Sequence, residues 1–257
     1  MFRGPLRPAQ IEKAPQLSPD VRVTSLHRQH RRALTNGKSA RTQNAALGLW
    51  RTFLEWCVRQ GYLPTDPLAN IRKAKDSPEQ RPYRRRAFTG DELKRLLKVA
   101  PMPRRLVYAV AAFTGFRRST LGRLERQHLD VSDTSRPLWR LEGKLLKGKR
   151  PATLPVSPDA MAWLTRRPLD EMGSAVKLLP APPMMRTFYK DMTAAGLARK
   201  DEAGRHLVFH SFRYFACTQW AKTLPIQKVK VLMCHRTLAM TSDLYCQIGL
   251  DDVGGEM

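Results

Sequence analysis

Apolar residues recur at helical spacing along most of this 257-residue chain, and alternate as in a strand only in one short region. In ALGLWRTFLEWCVRQG, Leu47, Trp50, Phe53, Leu54 and Cys57 share one helical face, which predicts a helix over about 40–60 that Gly61 ends. Similar spacing predicts a helix over about 19–34. Thr89-Gly-Asp-Glu92 is a capping-box pattern opening a helix through LKRLLKVA. Pro101 and Pro103 separate it from a helix over about 104–113, and after the Thr114-Gly115 break a short helix carries Leu121 and Leu124. LWRLEG and PATLPV have strand character on either side of the basic turn LLKGKR, which predicts a small hairpin. Ser157-Pro158 is an N-cap and first-turn pair. Helices around 184–195, 211–222, 226–234 and 238–248 complete a fold that is mainly α with a small antiparallel β-sheet or hairpin.

The chain divides by composition. Residues 1–18 carry Pro5, Pro8 and Pro15 among polar residues and read as an irregular basic arm. A helical segment with its linker occupies 19–80, and a larger domain occupies 81–257. The stretch LPTDPLANIRKAKDSPEQRPYRRR lacks apolar periodicity. It suits a linker lying along phosphates, or equally a solvated one.

Charge narrows the function. Lys and Arg number 46 against 22 acids, a formal net charge of +24, which points to a polyanionic partner such as nucleic acid. No run approaches the roughly 18 apolar residues that span a bilayer, and MFRGPLRPAQ has no signal-peptide core, so neither a membrane nor export is expected. Cys57, Cys217, Cys234 and Cys246 form no CxxC pair and fit a reducing cytoplasm. The spacing of Cys234, His235 and Cys246 matches no usual zinc site, and there is no GxxxxGK[ST] loop or carboxylate cluster, so no metal or cofactor is expected.

The candidate chemistry lies late in the chain. HSFRYFACTQW and LMCHRTLAMTSDLYC set His210, Arg213 and His235 ahead of Tyr245, and AAFTGFRRSTLGRL adds Arg117 from about a hundred residues upstream. Guanidinium forks bind non-bridging phosphate oxygens bidentately, imidazoles donate a hydrogen bond or take a proton near neutral pH, and a phenol attacks phosphorus. Each residue alone has a plainer use: Arg117 as a helix cap, Arg213 in a surface ion pair, the histidines at helix ends, Tyr245 as an amphipathic anchor.

Together these segments resemble the tyrosine recombinases of the phage-integrase family over about Arg86 to Gly249. The family's Thr-Gly-x-Arg box is TGFRRSTLGRL, its β-hairpin lysine is matched in LLKGKRPATLPV by Lys147, and its His-x-x-Arg box is His210 to Arg213. His235 closes the next helix and the nucleophile position falls on Tyr245. Lys144, Lys149 and Arg150 are local rivals of Lys147. The resemblance implies a recombinase-like catalytic domain over 81–257 and a partial helical core-binding domain before it. It further implies that Arg117, Arg213 and His235 bind the scissile phosphate, that Lys147 protonates the leaving 5′ oxygen and that His210 assists Tyr245. Double-stranded DNA and a homo-tetramer on synapsed sites are the implied partners. Thr120 stands where the family usually has an acid that steadies the first arginine, Tyr214 replaces a basic residue, and Cys234 replaces a glycine. The amino-terminal part has room for fewer helices than the family's core-binding domain, which fits a shortened chain. A catalytically impaired DNA-binding remnant and a type IB topoisomerase are the alternative functions.

Overall fold

The computed structural model of the protein describes residues 38–75 and 84–245, with side chains as far as Ser242. The expected arm over 1–18, the helix over 19–34, residues 76–83 of the cationic stretch, and Cys246 with the tail lie outside them. The chain forms two compact units that meet in sequence between Pro82 and Tyr83.

In the first unit Ser39 caps α1, Ala40–Arg59, by accepting from the Thr42 amide, and Gly61 at φ 76° turns the chain away. Residues 63–75 then fold back along it. Arg51 Nη2 donates to the carbonyls of Leu68 (3.1 Å), Ala69 (3.2 Å) and Ile71 (2.5 Å), and Asn44 exchanges two hydrogen bonds with the backbone of Ala74. This part of the stretch is therefore bound to the helix, through one arginine satisfying three carbonyls, a device with no sequence period. The expected inward face is also narrower than its spacing implied. Trp50 and Phe53 are 42% and 51% exposed and continue into Trp56 and Tyr62 as a row of touching rings. The returning chain covers the Asn44 and Arg51 side instead.

The second unit is built around α3, Met102–Thr114. After its first turn this helix is apolar all round, and Leu106 to Ala112 are each 5% exposed or less, as a helix buried on every side requires. Around it pack α2 (Gly90–Val99), α5 (Pro158–Leu164) and α7 (Ser211–Ala221), with the four-residue α4 (Arg118–Leu121) following. The capping box of α2 forms as expected, Thr89 and Glu92 each bonding the other's backbone. The remaining helices are α6 (Met185–Ala194), α8 (Ile226–Leu232) and α9 (Ala239–Tyr245).

Three antiparallel strands, β1 (Leu129–Asp130), β2 (Leu138–Leu141) and β3 (Ala152–Pro155), lie in that order. The fold is thus mainly α with a small antiparallel sheet; β1 is too short to have left a period. Trp139 is 1% exposed, pairs with Leu129 and Leu154, and meets Phe116 edge-on at 5.3 Å. The sheet therefore buttresses the residue just before Arg117.

Aromatic packing fixes α7. Phe212 stacks on Tyr108 of α3 at 5.5 Å and on Phe88 at 4.8 Å, so the helix carrying His210 and Arg213 is keyed into the core between them. The Tyr108 hydroxyl donates to Asp191 Oδ2 at 2.7 Å, and Arg104 donates to both Asp191 oxygens at 2.7 and 2.8 Å, joining α3 to α6. Burial pushes the Asp191 carboxyl up, but the bonds from Arg104 and Tyr108 outweigh it and hold it below its ordinary value.

Arg104 keeps 32% of its side-chain exposure, so its charge contributes modestly; the larger cost of losing Asp191 is an unaccepted Tyr108 hydroxyl in the core. Asp191→Ala is expected to destabilise the protein by about 2–3 kcal/mol in urea titration at pH 7. A folded pKa below the unfolded one contributes stability above the unfolded pKa and loses it as pH falls through the folded pKa. The advantage of Asp191 should therefore shrink in acid, and a difference that stayed constant down to pH 2 would contradict the ionised network.

Candidate active site

The site begins where α3 ends. Gly115 caps that helix at φ 60°, a left-handed conformation open to glycine, and a Cβ there would meet Ala216 Cβ at 3.1 Å and Met233 Sδ at 3.3 Å. The glycine lets α7 close over the end of α3. In that contact Arg213, 4% exposed, donates from Nη1 to the Gly115 carbonyl at 2.6 Å and from Nη2 to the Met233 carbonyl. One guanidinium thus joins the ends of α3 and α8 from the body of α7.

Arg117 follows as the N-cap residue of α4, half-buried, its carbonyl accepting from Thr120 and Leu121. Its neighbour Arg118 is engaged by the carbonyls of Pro182 and Pro183 at 3.3 and 2.8 Å, which separates the roles of the adjacent arginines. His210 caps α7 one turn before Arg213, its ring edge-on to Tyr214 at 5.6 Å. A backbone bridge between Arg85 and His206 brings a further arginine within the electrostatic reach of His210.

His235 joins from the end of α8. Its amide donates to the Lys230 carbonyl, and its Nδ1 lies 3.0 Å from the buried Thr241 hydroxyl of α9. When that hydroxyl donates to Nδ1, the ring proton sits on Nε2 and is available to a ligand oxygen. Tyr245 ends α9 one helical turn beyond Thr241. Cys234, immediately before His235, has φ 48°, so the position where relatives carry glycine does use the left-handed region here.

Electrostatics define what the cluster lacks. Among the described residues no carboxylate forms an ion pair with Arg117, Arg213, His210 or His235. Burial, then the Arg117 charge, drives Arg213 down to about 9, still cationic at neutral pH. Burial lowers Arg117 as well, against the Cys234 thiol. Burial and the charges of Arg213, Arg85 and Arg117 push His210 down to about 4; burial, Arg213, Arg117 and His210 push His235 down to about 3. Both rings are neutral at pH 7. Cations held together without an acid are relieved by an anion, and forked donors beside imidazoles suit a phosphodiester.

Four expected residues, Arg117, His210, Arg213 and His235, are thus brought together. Tyr245 ends the helix whose Thr241 meets His235, while its own side chain lies outside the described ones. Lys147 sits apart, exposed in the β2–β3 connection, with no described bond to the cluster. Thr120, at the position where the family's acid steadies the first arginine, donates its hydroxyl to the Leu145 carbonyl at 3.0 Å. Sequence reasoning missed Thr241 and Arg85. Thr241 lies four residues before Tyr245, one turn earlier on the same helix, a signal that was readable; Arg85 depends on a long-range bridge that was not.

This helical unit with its three-stranded sheet and clustered Arg, His and Arg side chains has the architecture of a tyrosine-recombinase catalytic domain. The chain belongs to the phage integrase family, whose profile matches residues 86–249. Tyrosine recombinase XerC of Chlamydia pneumoniae is 24% identical over 231 residues, 84% of this chain and 70% of that protein. A λ integrase dimer bound to a COC′ core site superposes with TM-score 0.62 at 18% identity, over 82% of this chain and 61% of that one. The Tn1549 transposon integrase in complex with transposon right end DNA gives 0.60 at 16% identity, over 86% and 80%. The chain thus spans less than two-thirds of the λ integrase chain, and at these identities the structural likeness is one of fold.

Two expectations follow from the cluster. The unfolded chain takes up histidine protons below pH 6.5 that folded His210 and His235 refuse, so stability should rise with pH between about 4 and 6.5. In NMR titration both rings should protonate well below 6.5 and move up with added inorganic sulfate or with Arg117→Gln; midpoints near 6.5 in the parent protein would contradict the cluster. At Cys234, replacement by glycine should leave stability within about 1 kcal/mol, whereas β-branched Cys234→Val should cost about 2 kcal/mol, measured by thermal unfolding.

Proposed function

We propose that this chain is a site-specific DNA recombinase that cleaves and rejoins double-stranded DNA through a covalent 3′-phosphotyrosine on Tyr245. The observation that carries the proposal is the group of two arginines and two neutral imidazoles that no carboxylate pairs among the described residues, with His235 bound to Thr241 one helical turn before a tyrosine. Arg117 and Arg213 bind the non-bridging oxygens of the scissile phosphate and stabilise the charge of the pentacoordinate transition state. His235, its Nδ1 engaged by Thr241, donates from Nε2 to the same phosphate. His210 is neutral at pH 7 and takes the Tyr245 phenol proton; the phosphate's negative charge raises its affinity for that proton. The bond from Tyr245 Oη to phosphorus forms, the bond from phosphorus to O5′ breaks, and Lys147 gives O5′ its proton. The phosphotyrosine keeps the bond energy for rejoining to another strand, so neither a nucleotide nor a metal enters the scheme.

Exchange between two duplexes cuts four strands, which calls for four protomers; a λ integrase tetramer bound to a Holliday junction offers a precedent from the same fold. The net charge of +24 supplies the sequence-independent part of DNA affinity. Residues 19–80 serve as part of the helical DNA clamp. Among the described residues no helix is long and apolar enough to cross a membrane.

Purified protein incubated with a supercoiled library of candidate sites carrying strand nicks should yield an SDS-resistant adduct that mass spectrometry maps to Tyr245. Tyr245→Phe should keep DNA binding and lose the adduct. Adducts with strand transfer between labelled duplexes support recombination; relaxation without transfer indicates a topoisomerase; binding without adducts indicates a DNA-binding protein that does not catalyse.

A further inference from the structure

Three hydrogen bonds tie the loop carrying Lys147 to α4 and the turn that follows it. Thr120 donates from Oγ1 to the Leu145 carbonyl at 3.0 Å. Arg123 donates from Nη2 to that same carbonyl at 2.9 Å and from Nη1 to the Lys144 carbonyl at 2.7 Å. The Leu145 oxygen thereby accepts two bonds, its full capacity. Thr120 is 2% exposed, so an ionised carboxylate there, which only accepts hydrogen bonds, would face the Leu145 carbonyl with no proton to give.

The loop itself is closed on either side of Lys147. Leu145 and Leu146, the two residues before it, are 3% and 8% exposed and anchor in the core. The Lys149 amide returns to the Leu146 carbonyl at 3.0 Å, and Lys149 takes φ 53°. A Cβ on Gly143 would lie 2.5 Å from the Lys149 carbonyl oxygen, so the two ends of the loop touch. Beyond that anchor Lys147, Gly148, Lys149 and Arg150 are exposed. On the other side of the tether, the Arg117 carbonyl accepts the Thr120 amide at 2.8 Å, which makes Arg117 and Thr120 parts of one helical turn.

We propose that Thr120 and Arg123 are positioning residues that couple the Arg117 end of α4 to the Lys147 loop. A phosphate held by Arg117 then meets the lysine at a set distance. The role rests on the reading of Lys147 as the acid that protonates O5′. It gives Thr120 a function where the loss of an acid suggested a weakened site: the position no longer steadies the arginine and instead holds the loop that delivers the proton.

The test uses Thr120→Val, which keeps shape and removes the donor, Thr120→Ser, which restores the donor, and Arg123→Met on the exposed side as a second lesion. Trypsin nicking after Lys147 in folded protein reports on the tether alone. Thr120→Val and Arg123→Met should be cut about tenfold faster at the loop with little change in thermal midpoint, and Thr120→Ser should resemble the parent. Unchanged nicking in both lesions would overturn the tether. Adduct formation is then timed on the nicked duplex recovered from the site library, with oxygen or with sulfur at the bridging 5′ position. Sulfur leaves as a thiolate and needs no proton. On oxygen Thr120→Val should react on the order of 10- to 100-fold more slowly, a fraction of what a general acid supplies, and on sulfur at close to the parent rate. Equal slowing on both duplexes, or no slowing on oxygen, would overturn the positioning role. Absence of any adduct with the parent protein would overturn the recombinase reading and this role of Lys147 with it, while the trypsin result would still report whether the tether exists.

Discussion

The buried guanidinium of Arg213 is the interaction on which the rest of the site depends. It comes from α7, donates to the carbonyl that ends α3 and to the carbonyl that ends α8, and so fixes three chain segments by their backbones. Backbone carbonyls left unbonded at helix ends are costly when buried, and a charged fork satisfies two of them at once. Among the described residues no carboxylate pairs with that charge. The protein carries a desolvated cation with a second arginine beside it, a combination that favours any state in which an anion is bound.

The core is arranged to sustain that strain. α3 is buried on every side, Gly115 allows α7 to approach its end, and Phe212, flanked in sequence by the site residues, is stacked between Phe88 and Tyr108. Trp139 supports Phe116, the residue before Arg117, from the sheet. Where carboxylates are used, as in the Arg104–Asp191–Tyr108 group and the Arg86–Glu92 pair, they engage other arginines. Burial raises Glu92, yet Arg86 and the Thr89 amide more than offset it.

Two substitutions relative to the family pattern read differently once the structure is considered. Cys234 occupies a left-handed position that glycine fills without strain, yet His235 after it still meets Thr241. Thr120 points its hydroxyl at a carbonyl of the β2–β3 connection, so a residue near Arg117 acts on a different part of the chain.

Local regularities in the sequence determined the helices, because apolar spacing, the Thr89–Glu92 capping box, the Ser157-Pro158 start and the Gly115 stop each act within a few residues. They also determined which side chains suited a phosphate, since Arg117, His210, Arg213 and His235 stand in short ordered motifs. The tertiary structure alone decided the rest. Trp50 and Phe53 stay 42% and 51% exposed while residues 63–75 bind the side of α1 that carries Arg51 and Asn44, a packing no period encodes. The two-residue strand β1 arises from pairing with β2 rather than from its own preference. The Thr241 contact to His235 and the Thr120 and Arg123 bonds to the Lys147 loop join residues from separate elements. Such contacts come from three-dimensional proximity, and in a chain with 46 cations sequence order cannot say which of them will lack a partner.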